Sequence, residues 1–379
     1  MRIAKPLFLS EGKDKNMVFS PLSIHVVLSL IAAGTNGPAR DQLVSFLKSN
    51  STDELNALAA NLVPLIFADG SGNGGPSLFF AYGLWVDESL NIKPSFKEVV
   101  DVFYKAVANK VDFKNKAEEV RIEVNSWAEE KTGGLIKDFF APGSIDDLTR
   151  LVFSNALYFK GDWEKKFDVS KTKEQEFYLL SGRSIQAHFM STDSWQYLRE
   201  FDGFKVLELP YRQGGEEEGK PPQRRFSMYI ILPVAKDGLP ALLDKVCTDN
   251  DFLNQHQPYS KVEVGDFKIP RFKFSSNFEA SETLKELGLV LPFTSGLSEM
   301  VDSPPGDAFK ILHKSCIEVN EGGTEAAAVT KTQLMGSSRV LNPPKKIDFV
   351  ADHPFMFFIR DEITRTVLFI GQVLNPLEG

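Results

Sequence analysis

The sequence predicts an α+β fold in a single domain, and three observations carry that reading. Helical patterns crowd the early part of the chain and strand patterns the rest, without the regular βαβ alternation of a doubly wound sheet. No repeat, low-complexity linker or composition break divides residues 1–379. The 31 Phe, against 4 Trp and 8 Tyr, point to one large core filled by rings.

The elements follow in order. Residues 18–33, VFSPLSIHVVLSLIAA, read as a buried helix that starts through Ser20 and Pro21. Serine caps a helix well and proline suits its first turn. GTNG (34–37) ends it. Residues 38–67 continue in helical pattern, with Ser51-Thr52-Asp53-Glu54 as a helix start. DGSGNGGPS (69–77) is a flexible turn, and SLFFAYGLWVDES (77–89) alternates as a strand. Residues 95–110 and 117–131 read as helices, the second closed by Gly133-Gly134. TRLVFSNALYFKGDW (149–163) is an apolar central strand. From about residue 170 strands dominate: EQEFYLL, FKVLELPY, RFSMYIILP and KVEVGDFKIPRFKF, with one helix, SETLKELG (281–288), among them. RQGGEEEGKPPQRR (212–225) is a charged hairpin loop. FKILHKSCIEVN, IDFVADHPFMFFIRD and RTVLFIGQVLN close the chain as strands.

A net charge of −8 argues against general attraction to nucleic acid or anionic membranes, which needs a basic surface. No apolar run reaches the roughly 18 residues of a membrane span. Two cysteines, Cys247 and Cys316, allow one disulfide and exclude a disulfide scaffold. MRIAKPLFLSEGKDKN lacks the apolar core and cleavage site of a signal peptide, so a cytoplasmic protein is favoured over an extracellular one. The sequon at Asn50 is then expected to go unused.

Catalytic and cofactor motifs are weak. Gly70, Gly72 and Gly75 satisfy G-x-G-x-x-G, but a helix precedes them and Pro76 and a strand follow, the reverse of a dinucleotide site. There is no G-x-S-x-G elbow, and the five His are scattered without a metal-ligand pattern. His25 and His313 sit in apolar runs and read first as core histidines. No catalytic residue, cofactor or metal is expected.

One segment resists a bland reading. From Gly322 to Lys346 runs a connection of about two dozen residues, longer than compact domains keep without a function. With strand periodicity, Thr324, Ala326, Ala328 and Thr330 share a face small enough to slide under a packed layer. Glu325, Ala327, Val329 and Lys331 face the other way. No proline between 322 and 342 forbids new ladder bonds, and Gly322-Gly323 serves as a swivel. An alanine-rich loop or short helix is the alternative, since Glu-Ala-Ala-Ala also favours helix.

At this point the residues resemble a known family, the serpins, and in particular the plant Z-type serpins. NMVFSPLSI (16–24) is similar to the start of the family's helix B, and SNALYFKGDW (154–163) to its strand 3A. EVNEGGTEAAA (318–328) resembles the reactive-loop hinge, and FVADHPFMFFIRD (349–361) with LFIGQVLNP (368–376) the C-terminal signature. The resemblance implies one domain over 1–379, of about nine helices and three β-sheets, with an exposed reactive-centre loop at 322–346. It implies an irreversible suicide-substrate inhibitor of serine or papain-like cysteine endopeptidases, held in a covalent acyl complex, monomeric, and not itself an enzyme. The cleaved loop would enter the large sheet as a new strand. The alternative is a serpin-fold protein that is cleaved as a plain substrate.

Carried over by resemblance, Glu321, Gly322, Gly323, Thr324, Glu325, Ala326, Ala327 and Ala328 form the hinge, with Thr324 the first side chain to insert. Ser20, Ser23, Asn155 and His313 match the polar shutter where the large sheet parts, and Trp163 the breach at its top. The usual hinge length places the scissile bond at Ser337-Ser338. An arginine bait would instead place it at Arg339-Val340. One departure stands out: MRIAKPLFLSEGKDK is short and charged where the family carries helix A, so most of that helix is expected to be lost.

Overall fold

A computed structural model describes residues 3–66, 75–214, 224–294, 296–303, 309–324 and 346–379. Among these are ten α-helices and three β-sheets.

The helix Pro21–Ala33 starts as its sequence predicts. The Ser20 hydroxyl accepts the Ser23 N–H at 3.1 Å, with Pro21 in the first turn. Val26, Val27, Leu28 and Ser29, four consecutive residues that point to all sides of the helix, are buried, so the helix runs through the core. The helix Thr52–Ile66 opens with Ser51 accepting the Glu54 N–H at 3.1 Å while the Glu54 carboxylate accepts the Asn50 N–H at 2.7 Å. Two orphan donors are satisfied reciprocally.

The six-stranded sheet runs Phe272–Glu279, Phe309–Val319, Gly323–Thr324, Leu151–Asp162, Ser77–Asp87, Val107–Val111. A seven-stranded sheet takes in Met17–Phe19, Val367–Val373, Phe355–Asp361 and Phe226–Pro233, then Phe204–Pro210, Gln196–Phe201 and Lys261–Val262. A four-stranded sheet joins Ile347–Val350, Val264–Pro270, Ser184–Met190 and Lys173–Tyr178. The main core contains residues of the seven-stranded sheet and the Pro21–Ala33 helix. A second core lies under the helix Phe113–Lys131, where Trp127 meets Trp85 edge to face at 5.6 Å.

Several expectations are corrected. Residues 95–110 are not one helix: Pro94–Val99 is α-helical and Val100–Tyr104 widens to π geometry. Lys105 then turns left-handed (φ 49°), and Val107–Val111 pairs parallel with Ser77–Asp87 as an edge strand. The strand Ser77–Asp87 is buried on both faces rather than one, because helices cover both sides of its sheet. Helices Leu239–Thr248, Phe252–Gln255 and Leu291–Thr294 join SETLKELG in the later part. The N-terminal segment retains a short helix, Ala4–Leu9, whose Ala4, Leu7 and Phe8 are buried. Cys247 and Cys316 are both free, so the disulfide that the sequence allowed is not formed. The glycine-rich turn at 69–74 and residues 215–223 of the charged loop lie outside the described residues.

Candidate functional site

The residues expected to form the shutter and the hinge lie along the seam between Leu151–Asp162 and Phe309–Val319 of the six-stranded sheet. Over most of their length these strands pair directly and in parallel, from Phe309 opposite Leu151 to Cys316 opposite Tyr158. Near the top they diverge and admit Gly323–Thr324. Thr324 pairs antiparallel with Val319 on one side and Gly161 on the other.

Thr324 is fully buried. Its hydroxyl shares a 2.7 Å hydrogen bond with that of Tyr211, which is itself stacked on Trp163 at 4.7 Å between ring centroids. Burial pushes the Tyr211 phenol far above its ordinary pKa, so it stays neutral. Trp163 fastens the preceding turn twice: its indole N–H donates to the Asn320 carbonyl and its backbone N–H to the Gly322 carbonyl, both at 2.9 Å. Glu321 is 5% exposed. Its carboxylate accepts the Thr172 hydroxyl at 2.6 Å and lies 3.6 Å from the Arg271 guanidinium, while its carbonyl accepts the Phe167 N–H at 2.9 Å.

Gly323, expected from the sequence to be part of a swivel, also makes a close backbone approach. Its φ is +154°, and a Cβ there would lie 2.1 Å from the Gly161 carbonyl oxygen. Glycine is needed because the hinge backbone presses against the neighbouring strand.

Lower in the same seam sits a polar cluster inside an apolar layer. Asn155 and His313 are register partners across the two strands. The Ser23 hydroxyl donates to Asn155 Oδ1. Tyr82, paired with Asn155 from the other side, donates to the Ser23 carbonyl at 2.6 Å. His313 Nε2 accepts the Ser20 N–H at 3.3 Å and lies 2.8 Å from the Ser315 hydroxyl. These contacts tie both strands to the start of the Pro21–Ala33 helix beneath. The His313 ring is fully buried, and loss of hydration lowers its pKa to about 3. Its Nδ1 and the Asn155 amide nitrogen have no hydrogen-bond partner among the described residues.

Ser20, Ser23, Asn155 and His313 are thus brought together, as are Trp163, Glu321, Gly322, Gly323 and Thr324. Glu325, Ala326, Ala327, Ala328, Ser337, Ser338, Arg339 and Val340 lie outside the described residues. The sequence reading missed Tyr82, Thr172, Tyr211, Arg271, Asn320 and Ser315. Ser315 was within reach, because it follows His313 by two and so shares its strand face. Tyr211 was not, because nothing local in LPYR marks it as the hinge's partner. Among the described residues no three His, Cys, Asp or Glu side chains converge as a metal set.

Comparison with known proteins bears on the family and the fold. The family model for "Serpin (serine protease inhibitor)" matches residues 1–376. Serpin-ZX of Arabidopsis thaliana is 51% identical, over 100% of this chain and 96% of that protein. Serpin-ZXA of Oryza sativa subsp. japonica is 51% identical, over 99% and 94%. The structure of Arabidopsis AtSerpin1 in its native stressed conformation superposes with a TM-score of 0.90 at 50% identity, over 99% of this chain and 95% of that one. Uncleaved ovalbumin, at 22% identity and a TM-score of 0.79, shares the fold.

Proposed function

The chain belongs to the serpin family, and we propose that it inhibits serine or papain-like cysteine endopeptidases by suicide cleavage and strand insertion. The observation that carries this reading is Thr324, buried and paired on both sides at the top of a seam that is closed below. The first step of a new central strand is already taken, and residues that follow it need only continue downward.

In this mechanism the protease nucleophile attacks the carbonyl carbon of Ser337. The new acyl bond forms as the Ser337–Ser338 C–N bond breaks, and the Ser338 nitrogen leaves as a protonated amine. The freed segment then inserts between Leu151–Asp162 and Phe309–Val319 and carries the acylated protease with it. The alternative bond, Arg339-Val340, would suit a trypsin-like or Arg-specific enzyme, whereas Ser337 suits a small specificity pocket. The cluster around His313 would act as the shutter, and Trp163, Tyr211 and Glu321 as the breach. The protein needs no catalytic residue of its own and acts as a monomer.

Incubation with trypsin-, elastase- and papain-like proteases, followed by denaturing gels and mass analysis, tests the proposal. A complex that survives denaturant is expected, with a released peptide that begins at Ser338 or, for the alternative bond, at Val340. Clean cleavage by every protease without complex would leave a plain substrate and sink the inhibitor reading.

A further inference from the structure

The hinge is held from a sheet to which it does not belong. Tyr211 follows directly on the strand Phe204–Pro210 of the seven-stranded sheet, whereas Thr324 lies in the six-stranded one. The backbone at Tyr211 is fastened on two sides: its N–H donates to the Phe226 carbonyl at 2.9 Å, and the Arg212 N–H to the Asp162 carbonyl at 2.7 Å. Its ring stacks on Trp163 and meets Phe159 edge-on, each at 4.7 Å between centroids. It also lies against Gly161, where a Cβ would come within 3.0 Å of Tyr211 Cδ1. Packing alone therefore fixes the ring. The hydroxyl is different, because its one hydrogen-bond partner among the described residues is the Thr324 hydroxyl. Thr324 has little else to hold it: its strand is two residues long, with one register pair on each side.

Two buried hydroxyls that are each other's only partner act together. Removing one leaves the other buried and unpaired, which costs more than the bond itself is worth. We propose that the Tyr211 hydroxyl is the positioning group of the hinge, which fixes Thr324 in the sheet before any protease arrives. This role rests on the inhibitor reading and adds to it the group that gives insertion its head start. Once the protease is acylated on Ser337, two events compete. Strand insertion traps the complex. Water attack on the acyl carbonyl instead breaks the bond to the protease, returns the proton to its nucleophile and leaves a Ser337 carboxylate. A hinge already seated in the sheet favours insertion. Tyr211 thus sets the ratio of complex to cleaved product and leaves recognition of the loop unchanged.

Tyr211→Phe deletes only the hydroxyl and keeps the ring on Trp163, so the fold is spared. Hydrogen exchange of the full chain, read by mass spectrometry on the peptide that carries Gly323 and Thr324, tests the clasp without any protease. Expected is exchange about tenfold faster in Tyr211→Phe and in Thr324→Val, no faster in the double variant, and close to the parent in Thr324→Ser, which keeps the hydroxyl. Against a protease that forms complex with the parent, Tyr211→Phe and Thr324→Val should give about threefold or more cleaved product per complex, at an unchanged association rate constant. Parent-like exchange in Tyr211→Phe, or effects of the two substitutions that simply add, would overturn the clasp. Faster exchange with an unchanged product ratio would overturn the role in insertion. A parent that forms complex with no protease would sink the inhibitor reading and this role with it, whatever the exchange shows.

Discussion

His313 is a base held neutral where a proton is costly. Its pKa in the fold is about 3, against about 6.5 for an exposed histidine. Between those values the unfolded chain binds the proton and the native chain does not, so stability rises with pH over that window. The contribution is complete above about pH 6.5 and is lost as pH falls toward 3. At pH 5 the loss is about 2 kcal/mol. Urea unfolding at pH 5 and pH 8 should show it, and His313→Gln should flatten the difference; an equal slope in both proteins would remove His313 from the account. Gly323 makes the second case at this scale. Gly323→Ala places a methyl group against the Gly161 carbonyl, which forces the hinge out of the sheet at a cost of about 1–3 kcal/mol. Under the inhibitor reading, more of the variant should be cleaved per complex formed, and a titration against the target protease measures that ratio. The sequence showed that two glycines stood at the hinge. It did not show which of them touches the neighbouring strand, because that contact joins residues 161 and 323.

At the scale of elements, what was legible depended on whether the pattern was local. The cap at Ser20, the start at Ser51–Glu54 and the glycine stop at 133–134 were readable because each works within one turn. The strand Val107–Val111 was not. Only Val111 of its five residues is buried, and its ladder is a parallel one to Ser77–Asp87. The helix Leu239–Thr248 hid in a strand-rich region although Leu242, Leu243 and Val246 keep helical spacing. The seam itself was visible as two apolar runs, but their parallel register was not. That register predicts the effect of cleavage. A strand from Thr324 to Ser337 would replace one parallel ladder with two antiparallel ones, at roughly 0.5–1.5 kcal/mol per added hydrogen bond. On the order of 10 kcal/mol would be released, and cleavage within the loop should raise the melting temperature by on the order of 20 °C. Calorimetry before and after limited proteolysis reads this directly. Thr324→Arg should abolish the rise and turn complex into cleaved product, since a guanidinium cannot replace a fully buried hydroxyl at the head of the new strand. An unchanged complex yield would remove the hinge from the mechanism.

For the whole molecule, the inhibitor reading implies a native state that is not the most stable one open to the chain. An energy difference on the order of 10 kcal/mol rivals the entire stability of an ordinary domain, so under that reading the native form would persist because a barrier holds it. The barrier can be located. Parting Leu151–Asp162 from Phe309–Val319 breaks eight register pairs, from Phe309–Leu151 to Cys316–Tyr158. It also strips Asn155 and His313 of the bonds that tie them to Ser23 and Ser20. The top is already open at Thr324, so the polar cluster is the next obstacle. Removing it should lower the barrier more than it lowers the stability of the inserted form, in which the strands stay apart. His313→Ala is therefore expected to convert, on mild heating and without any protease, to a form of unchanged mass and higher melting temperature, at least tenfold faster than the parent. Native gels sampled over time, with a melting curve for each species, measure the rate. If the variant unfolds or aggregates without yielding a more stable form of the intact chain, the His313 cluster serves packing alone and the barrier lies elsewhere.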